Sequence, residues 1–269
     1  MMVWLVAGIA LRRLLRSKLL GITLIVAILI TALMSSSLLM LRMARSAGDA
    51  EVASQMSATV ILAALGLMGF FACLVGLANG VTVIRRDIRD GTIFSVLSKP
   101  ISRAEYLLGN YLGSLMYLSF VWIIFSLVYV GLVILTGQSM GKLLGLILLA
   151  RWVYSVVMMS VAFFLAQRFN AWTAVVLSVG VYNADSLYSI FPPLLRQIHI
   201  ELPAWVQGTA LFLFPSTNSL DVLFDSLLKS RLNSTPVHWA FLSLLDYCAI
   251  MLLLAWMIFR RQELSPSAE

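Results

Sequence analysis

Apolar residues run along this chain in blocks longer than those of a globular fold. Six of them stand out, at 19–41, 57–84, 106–135, 143–167, 171–191 and 238–259. Each reaches or exceeds the roughly 20 residues that a helix needs to cross hydrocarbon. Arg151 interrupts the fourth. The pattern predicts an all-α integral membrane protein with six transmembrane helices and both ends on one side. It forms a single membrane domain over 1–269.

Between the second and third blocks lies the main polar interruption, Ile84 to Asn110. It holds Arg85, Arg86, Arg89, Lys99 and Arg103, five of the nineteen basic residues, with Asp87, Asp90 and Glu105 among them. Ile93, Phe94, Val96 and Leu97 form a short apolar patch inside the charges. Pro100 pushes Lys99 out of the helical region. Ser102-Arg-Ala-Glu105 has the form of a capping box, with Ile101 and Tyr106 at the staple positions. The order predicted over 85–105 is helix end, short amphipathic helix, proline break and a sharply started new helix. Such a rigid element can convey a push from a cytoplasmic partner. The alternative is a basic loop that only sets topology.

The flanking segments differ in character. Met1 to Lys18 mixes Trp4, Leu5, Ile9, Leu11 and Leu15 with Arg12, Arg13, Arg16 and Lys18. It reads as an interfacial helix over 1–18, or else as a basic flank to the first span. A cleaved signal is not expected, because the apolar run from Leu19 exceeds the usual ~7–15 residues of a signal core. The segment 192–237 begins with Pro192-Pro193. A short apolar stretch, Pro203 to Pro215, follows, and then Leu220, Leu223, Phe224, Leu227 and Leu228 at helical spacing. This predicts a helical hairpin of re-entrant and amphipathic helices outside the membrane. The tail at 262–269 is polar and reads as disordered.

Composition fits this picture. The chain is 61% hydrophobic and 12% charged, whereas a soluble domain is about half apolar and a quarter charged. The net charge is +7, and its placement sets orientation. With the N-terminus inside, the inner loops hold twelve Lys and Arg and the outer loops six, Arg151 set aside. That asymmetry predicts N-in and C-in and puts 85–105 in the cytoplasm. Cys73 and Cys248 lie in apolar blocks and read as small core residues. In the second block Ala72, Gly76 and Gly80 are spaced by four and share one face. Such a stripe lets two helix backbones approach closely, though glycine is also common in spans.

Recognisable chemistry is absent. Gly137 to Leu143 superficially resembles a phosphate loop, but it is one residue short and lacks the Ser or Thr after Lys142. His199 and His238 are isolated, so no metal site is expected. Neither HExxH nor GxSxG occurs. No catalytic residue, cofactor or nucleic-acid partner is expected.

One stretch carries a resemblance: Asp87-Ile-Arg-Asp-Gly-Thr-Ile-Phe-Ser-Val-Leu-Ser-Lys-Pro-Ile-Ser-Arg-Ala-Glu-Tyr-Leu-Leu-Gly-Asn-Tyr-Leu-Gly113. It resembles the permeases of type-2, exporter-like ABC transporters. These have an acidic residue, Gly-Thr, a run ending Ser-x-Pro-[Ile/Val]-Ser-Arg, and then Leu-Gly-Lys and a glycine. The basic start Leu11 to Lys18 and the motif Leu213-Phe-Pro215-Ser are also similar to that family. This chain departs from it in having Asp87 or Asp90 for the usual Glu, Asn110 for the usual Lys, and no N-terminal Glu.

The resemblance implies that 85–105 is a coupling helix seated in a cleft of a separate ABC ATP-binding subunit. Asp87, Asp90, Gly91, Pro100, Ser102 and Arg103 match the motif. The apolar patch between the charges is expected to turn Ile93, Phe94 and Leu97 toward the ATPase or the membrane base. Two ATPase copies would serve two permease subunits, as a homodimer or a related heterodimer. The complex would export substrate across a bacterial inner membrane, and the permease itself would not hydrolyse ATP. An ion-gradient-driven secondary transporter would instead need ionisable groups on broken helices in repeated halves, and no repeat is visible. A non-transporting membrane scaffold is the third reading.

Three charges lie inside the blocks. At ~1.5 Å per residue, Arg151 and Asp246 fall about 12 Å and Asp185 about 9 Å from the outer ends of their spans. A charge in hydrocarbon costs at least ~2.5–3.5 kcal/mol, so such groups pair or face water. The common depth predicts that Arg151 pairs with Asp185, Asp246 or both, in a structural role. The alternative is that each reaches water alone. In a pair, Arg151→Ala and Asp185→Ala should each lower folded yield, and the double variant should lose less than the sum. Strictly additive losses in a detergent-extraction assay would refute the pairing.

Overall fold

A computed structural model describes residues 2–18, 20–29, 32, 50–89, 101–136, 143–183 and 234–261. Regular structure among them is entirely helical. In chain order the helices are α1 (Met2–Leu15), α2 (Leu20–Leu29), α3 (Ala50–Arg89), α4 (Arg103–Thr136), α5 (Leu143–Arg168), α6 (Ala171–Asn183) and α7 (Ser234–Arg261). Stretches of α3, α4, α5 and α7 are long and apolar enough to cross a membrane, at Ala63–Asp87, Arg103–Ile134, Leu144–Arg168 and Phe241–Arg261. The shorter helices α2 and α6 lie in the first and fifth apolar blocks, whose remainders fall outside the described residues. The predicted hairpin between spans five and six, up to residue 233, and the 262–269 tail also fall outside them.

The chain divides into two compact units, Met1–Gly76 with Glu105–Ser155, and Leu77–Ala104 with Val156–Glu269. In the first, α1 packs on α4 through small residues. Val6, Ala7, Ala10 and Leu14 form its buried face. A Cβ on Gly109 would sit 2.6 Å from Val6 Cβ, and one on Gly113 2.6 Å from Ala10 Cβ and 2.8 Å from the Ala7 carbonyl. The two glycines are one helical turn apart on α4, so they form a trough for α1. The outward side of α1 carries Met2, Leu5 and Ile9, then Arg12 and Arg16, all exposed. Apolar and basic groups therefore share one stripe and separate along its length. After α1, Ser17 turns the chain. Its hydroxyl and its N–H both donate to the Leu14 carbonyl, at 2.6 and 3.1 Å.

Two tryptophans bind α4 to α5 in opposite directions within this unit. Trp122 Nε1 donates to the Leu148 carbonyl at 3.1 Å, and Trp152 Nε1 donates to Ser119 Oγ at 3.2 Å. Buried indoles usually find an acceptor, since an unmet N–H in apolar surroundings is costly.

In the second unit the tightest approach is between α3 and α5. A Cβ on Gly80 would lie 2.6 Å from the Met159 carbonyl, 2.8 Å from Ala162 Cβ and 2.9 Å from Phe163 N. Only hydrogen fits there, because two of these neighbours are backbone. Helices α5 and α6 are joined by Phe169 and Asn170, and the Asn170 carbonyl accepts the Ala174 N–H at 2.8 Å. Asparagine is among the favoured residues at that helix-starting position. Among the described side chains of α7, Phe259 and Ala255 are the most buried.

Several hydroxyl side chains within the helices hide their donors locally. Thr82, Ser114, Ser119, Ser155, Ser160 and Ser178 each donate to the carbonyl four residues earlier, at 2.7–3.0 Å. Asn110 does the same through its amide at 3.3 Å. This bond satisfies a hydroxyl where there is no water to do so.

The Gly80 contact can be measured. Gly80→Leu forces α3 away from α5 and should cost on the order of 1–3 kcal/mol, as overpacking does. Gly66→Leu is the control, because a Cβ there meets nothing within 4 Å among the described residues. Thermal denaturation in detergent should show a clear loss for Gly80→Leu and a small change for Gly66→Leu. Equal melting of the two would exclude the close approach.

Candidate functional site

The polar interruption sits between the end of α3 and the start of α4. Helix α4 begins at Arg103, which places Ser102 at the helix-capping position and Glu105 in the first turn. Tyr106 is buried behind them and Ile101 is half-buried. A sequence of Ser at the cap and Glu three residues on favours a helix start there. Ser102 and Arg103 are exposed. Asp87 is 3% exposed in the last turns of α3, while Arg86 beside it is exposed. Asp90, Gly91, Ile93, Phe94, Leu97 and Pro100 lie outside the described residues. The structure therefore describes the two roots of this segment.

Both roots are held by arginines. Arg85 is half-buried on α3, and its Nε donates to the Ala166 carbonyl in the last turn of α5 at 2.9 Å. Arg103 Nη1 donates to the Arg260 carbonyl in the last turn of α7 at 3.3 Å. The last four carbonyls of a helix lack intrahelical donors and carry the negative end of its dipole. A guanidinium meets both needs. The Arg260 side chain lies over the Trp256 ring, 5.7 Å from its centroid, a favourable cation–π placement. Sequence patterning did not point to these capping roles, because a carbonyl acceptor leaves no mark in side-chain identity.

The small-residue stripe is buried along its whole length at Ala72, Gly76 and Gly80. Gly80 meets α5 as described. Gly109 and Gly113, which hold α1, were noted in the sequence only as parts of a motif. Their spacing of four, opposite Ala7 and Ala10, was the available signal.

Arg151 is half-buried on α5. Its stem lies over Gly69, where a Cβ would come 3.4 Å from Arg151 Cδ. One turn further on each helix, Cys73 Sγ lies 3.6 Å from Ser155 Oγ, which itself donates to the Arg151 carbonyl at 2.9 Å. Gly69 on α3 thus lies against the guanidinium stem inside the first unit, where an added methyl group would make only ordinary contact. Asp246 is exposed on α7 and Asp185 lies outside the described residues. Cys73 and Cys248 are both buried free thiols, and Cys248 Sγ lies 3.4 Å from Ser160 Oγ. No group of three or more His, Cys, Asp or Glu side chains among the described residues is placed to hold a metal.

The described residues thus combine long apolar helices, close backbone contacts and a charged segment whose roots are bonded to helix ends. The family described as ABC-2 family transporter protein matches residues 4–264. No curated protein matches the chain significantly. The match takes in every helix from α2 to α7 and nearly all of α1, so the chain belongs to the ABC-2 transporter family, as a multi-pass membrane permease of an ABC transporter.

Proposed function

We propose that this permease forms the export path of an ATP-driven transporter in a bacterial inner membrane, powered by a separate ATP-binding subunit. Six spans, with both ends in the cytoplasm, are the topology that the charge asymmetry favours. The segment 85–105 is the element that docks on the ATPase. Asp87, Asp90, Gly91, Pro100, Ser102 and Arg103 carry the motif, and Ile93, Phe94 and Leu97 fill the apolar contact. The observation that carries this reading is the motif itself, from Asp87 to Gly113, in a chain whose family match covers 4–264. The abrupt start of α4 at Arg103 supports it. A segment that conveys force needs a rigid root, and a capped helix start provides one.

Two permease subunits and two ATPase subunits make up the proposed complex. ATP-driven closure of the ATPase pair would displace the docking segments, and the path between the permeases would open outward. Catalysis belongs to the partner.

Recovery of an ATP-binding protein with the tagged, membrane-extracted chain tests this reading. Phe94→Asp puts a charge into the proposed apolar contact. It should reduce the recovered partner about tenfold or more, equivalent to ~1.4 kcal/mol, with insertion and yield of the permease unchanged. Undiminished recovery would remove Phe94 from the docking surface. Failure of the unaltered chain to bring down any ATP-binding protein would overturn the reading as a whole.

A further inference from the structure

Two arginines border the 90–100 segment, and both reach helix ends far away in sequence. Arg85 and Ala166 are 81 residues apart, and Arg103 and Arg260 are 157 apart. All four residues lie in the second compact unit. At the end of α5 the Phe169 N–H closes onto Leu165, and the next carbonyl, Ala166, takes Arg85. The end of α7 takes Arg103 in the same way. Neither acceptor is a side chain. Each bond therefore holds a helix backbone and resists displacement of that helix end relative to the arginine.

We infer that Arg85 and Arg103 are positioning residues that tie the two borders of the 85–105 segment to the C-terminal ends of α5 and α7, so that force on the segment passes directly to those helices. The inference rests on the reading of 85–105 as the ATPase-docking element. The two ties differ in strength. Arg85 is half-buried with a bond of 2.9 Å, and Arg103 is exposed with a bond of 3.3 Å. Exposed charge interactions are screened by salt and solvent, so Arg85 is the firmer tie. Lysine keeps the charge that suits a helix C-terminus but loses the planar fork of donors. Methionine keeps much of the apolar stem and loses both.

The test has two arms. In the first, the full chain in lipid nanodiscs is followed by amide hydrogen exchange. Arg85→Met should speed exchange of the amides at 166–169 several-fold, with residues 115–125 of α4 unchanged. Arg85→Lys should fall between Met and the native residue. Exchange at 166–169 identical in Arg85→Met and the native chain would overturn the Arg85 tie.

In the second arm, the chain is assembled with its ATP-binding partner and exchange is compared with and without a non-hydrolysable ATP analogue. The native complex should show a nucleotide-dependent change at the ends of α5 and α7. The Arg85→Met variant should keep its bound partner and lose most of the change at the end of α5, about fivefold or more, while the end of α7, held by Arg103, still responds. Arg85→Lys should recover part of it. A merely structural role would lower yield without separating partner binding from the nucleotide response. A response of native size at the end of α5 in Arg85→Met, or none at these ends in the native complex, would overturn the inference. If the native chain recovers no ATP-binding protein, the docking reading fails and force transmission fails with it, while the first arm still decides whether Arg85 holds the end of α5.

Discussion

A polar group in hydrocarbon must find its partner within the protein, and an unmet one costs several kcal/mol. In this permease the helices answer that demand for most backbone groups. Serine and threonine hydroxyls answer it by bonding back to the carbonyl one turn earlier, as at Ser114, Ser160 and Ser178. Helix C-termini are harder, since their last carbonyls have no donors of their own. Arg85 and Arg103 serve two of these ends. Basic residues at the borders of the polar interruption thus supply donors to the ends of α5 and α7.

The second requirement is packing. Lipid tails are as apolar as leucine, so burial of apolar surface gives helices little reason to associate. What remains is close fit. Gly80 lets α3 approach the α5 backbone, and Gly109 and Gly113 let α4 receive α1. Gly69 differs. It lies beside the Arg151 stem, but a methyl group there would make only ordinary contact, at 3.4 Å. Of these two small residues on α3, Gly80 is the one whose position a side chain would disrupt.

Much of this was legible in the sequence, and the parts that were not share a cause. The apolar blocks located α3, α4, α5 and α7, because a run of more than 20 apolar residues has few other solutions. Ser102 and Glu105 marked the start of α4 to the residue, since a capping box is local. The stripe at 72, 76 and 80 marked a buried face of α3. The site was less legible. The segment's residues could be picked out by motif, but not the contacts of its roots. Arg85 to Ala166 joins residues 81 apart through a backbone acceptor, which any residue at 166 would supply. The docking of α1 needed two patterns read together, Ala7 and Ala10 against Gly109 and Gly113, and either alone is ordinary.

Ties to backbone carbonyls have a mechanical property that side-chain ion pairs lack. An ion pair joins two flexible stems, and small displacements are absorbed by rotamer changes at both ends before either helix moves. A guanidinium bonded to a carbonyl has one flexible stem, and the acceptor is fixed to the helix axis through the peptide plane. At Arg85 the stem is itself half-buried, which restricts it further. Displacement of the α3 end must then strain the bond to Ala166, break it, or carry the end of α5 along. Breaking it would strip a half-buried, charged donor of its partner, a loss that its partial burial makes unfavourable. Moving together avoids that cost. For a chain whose partner is proposed to act on the segment between Arg85 and Arg103, the least costly displacement is therefore one in which α5 and α7 follow.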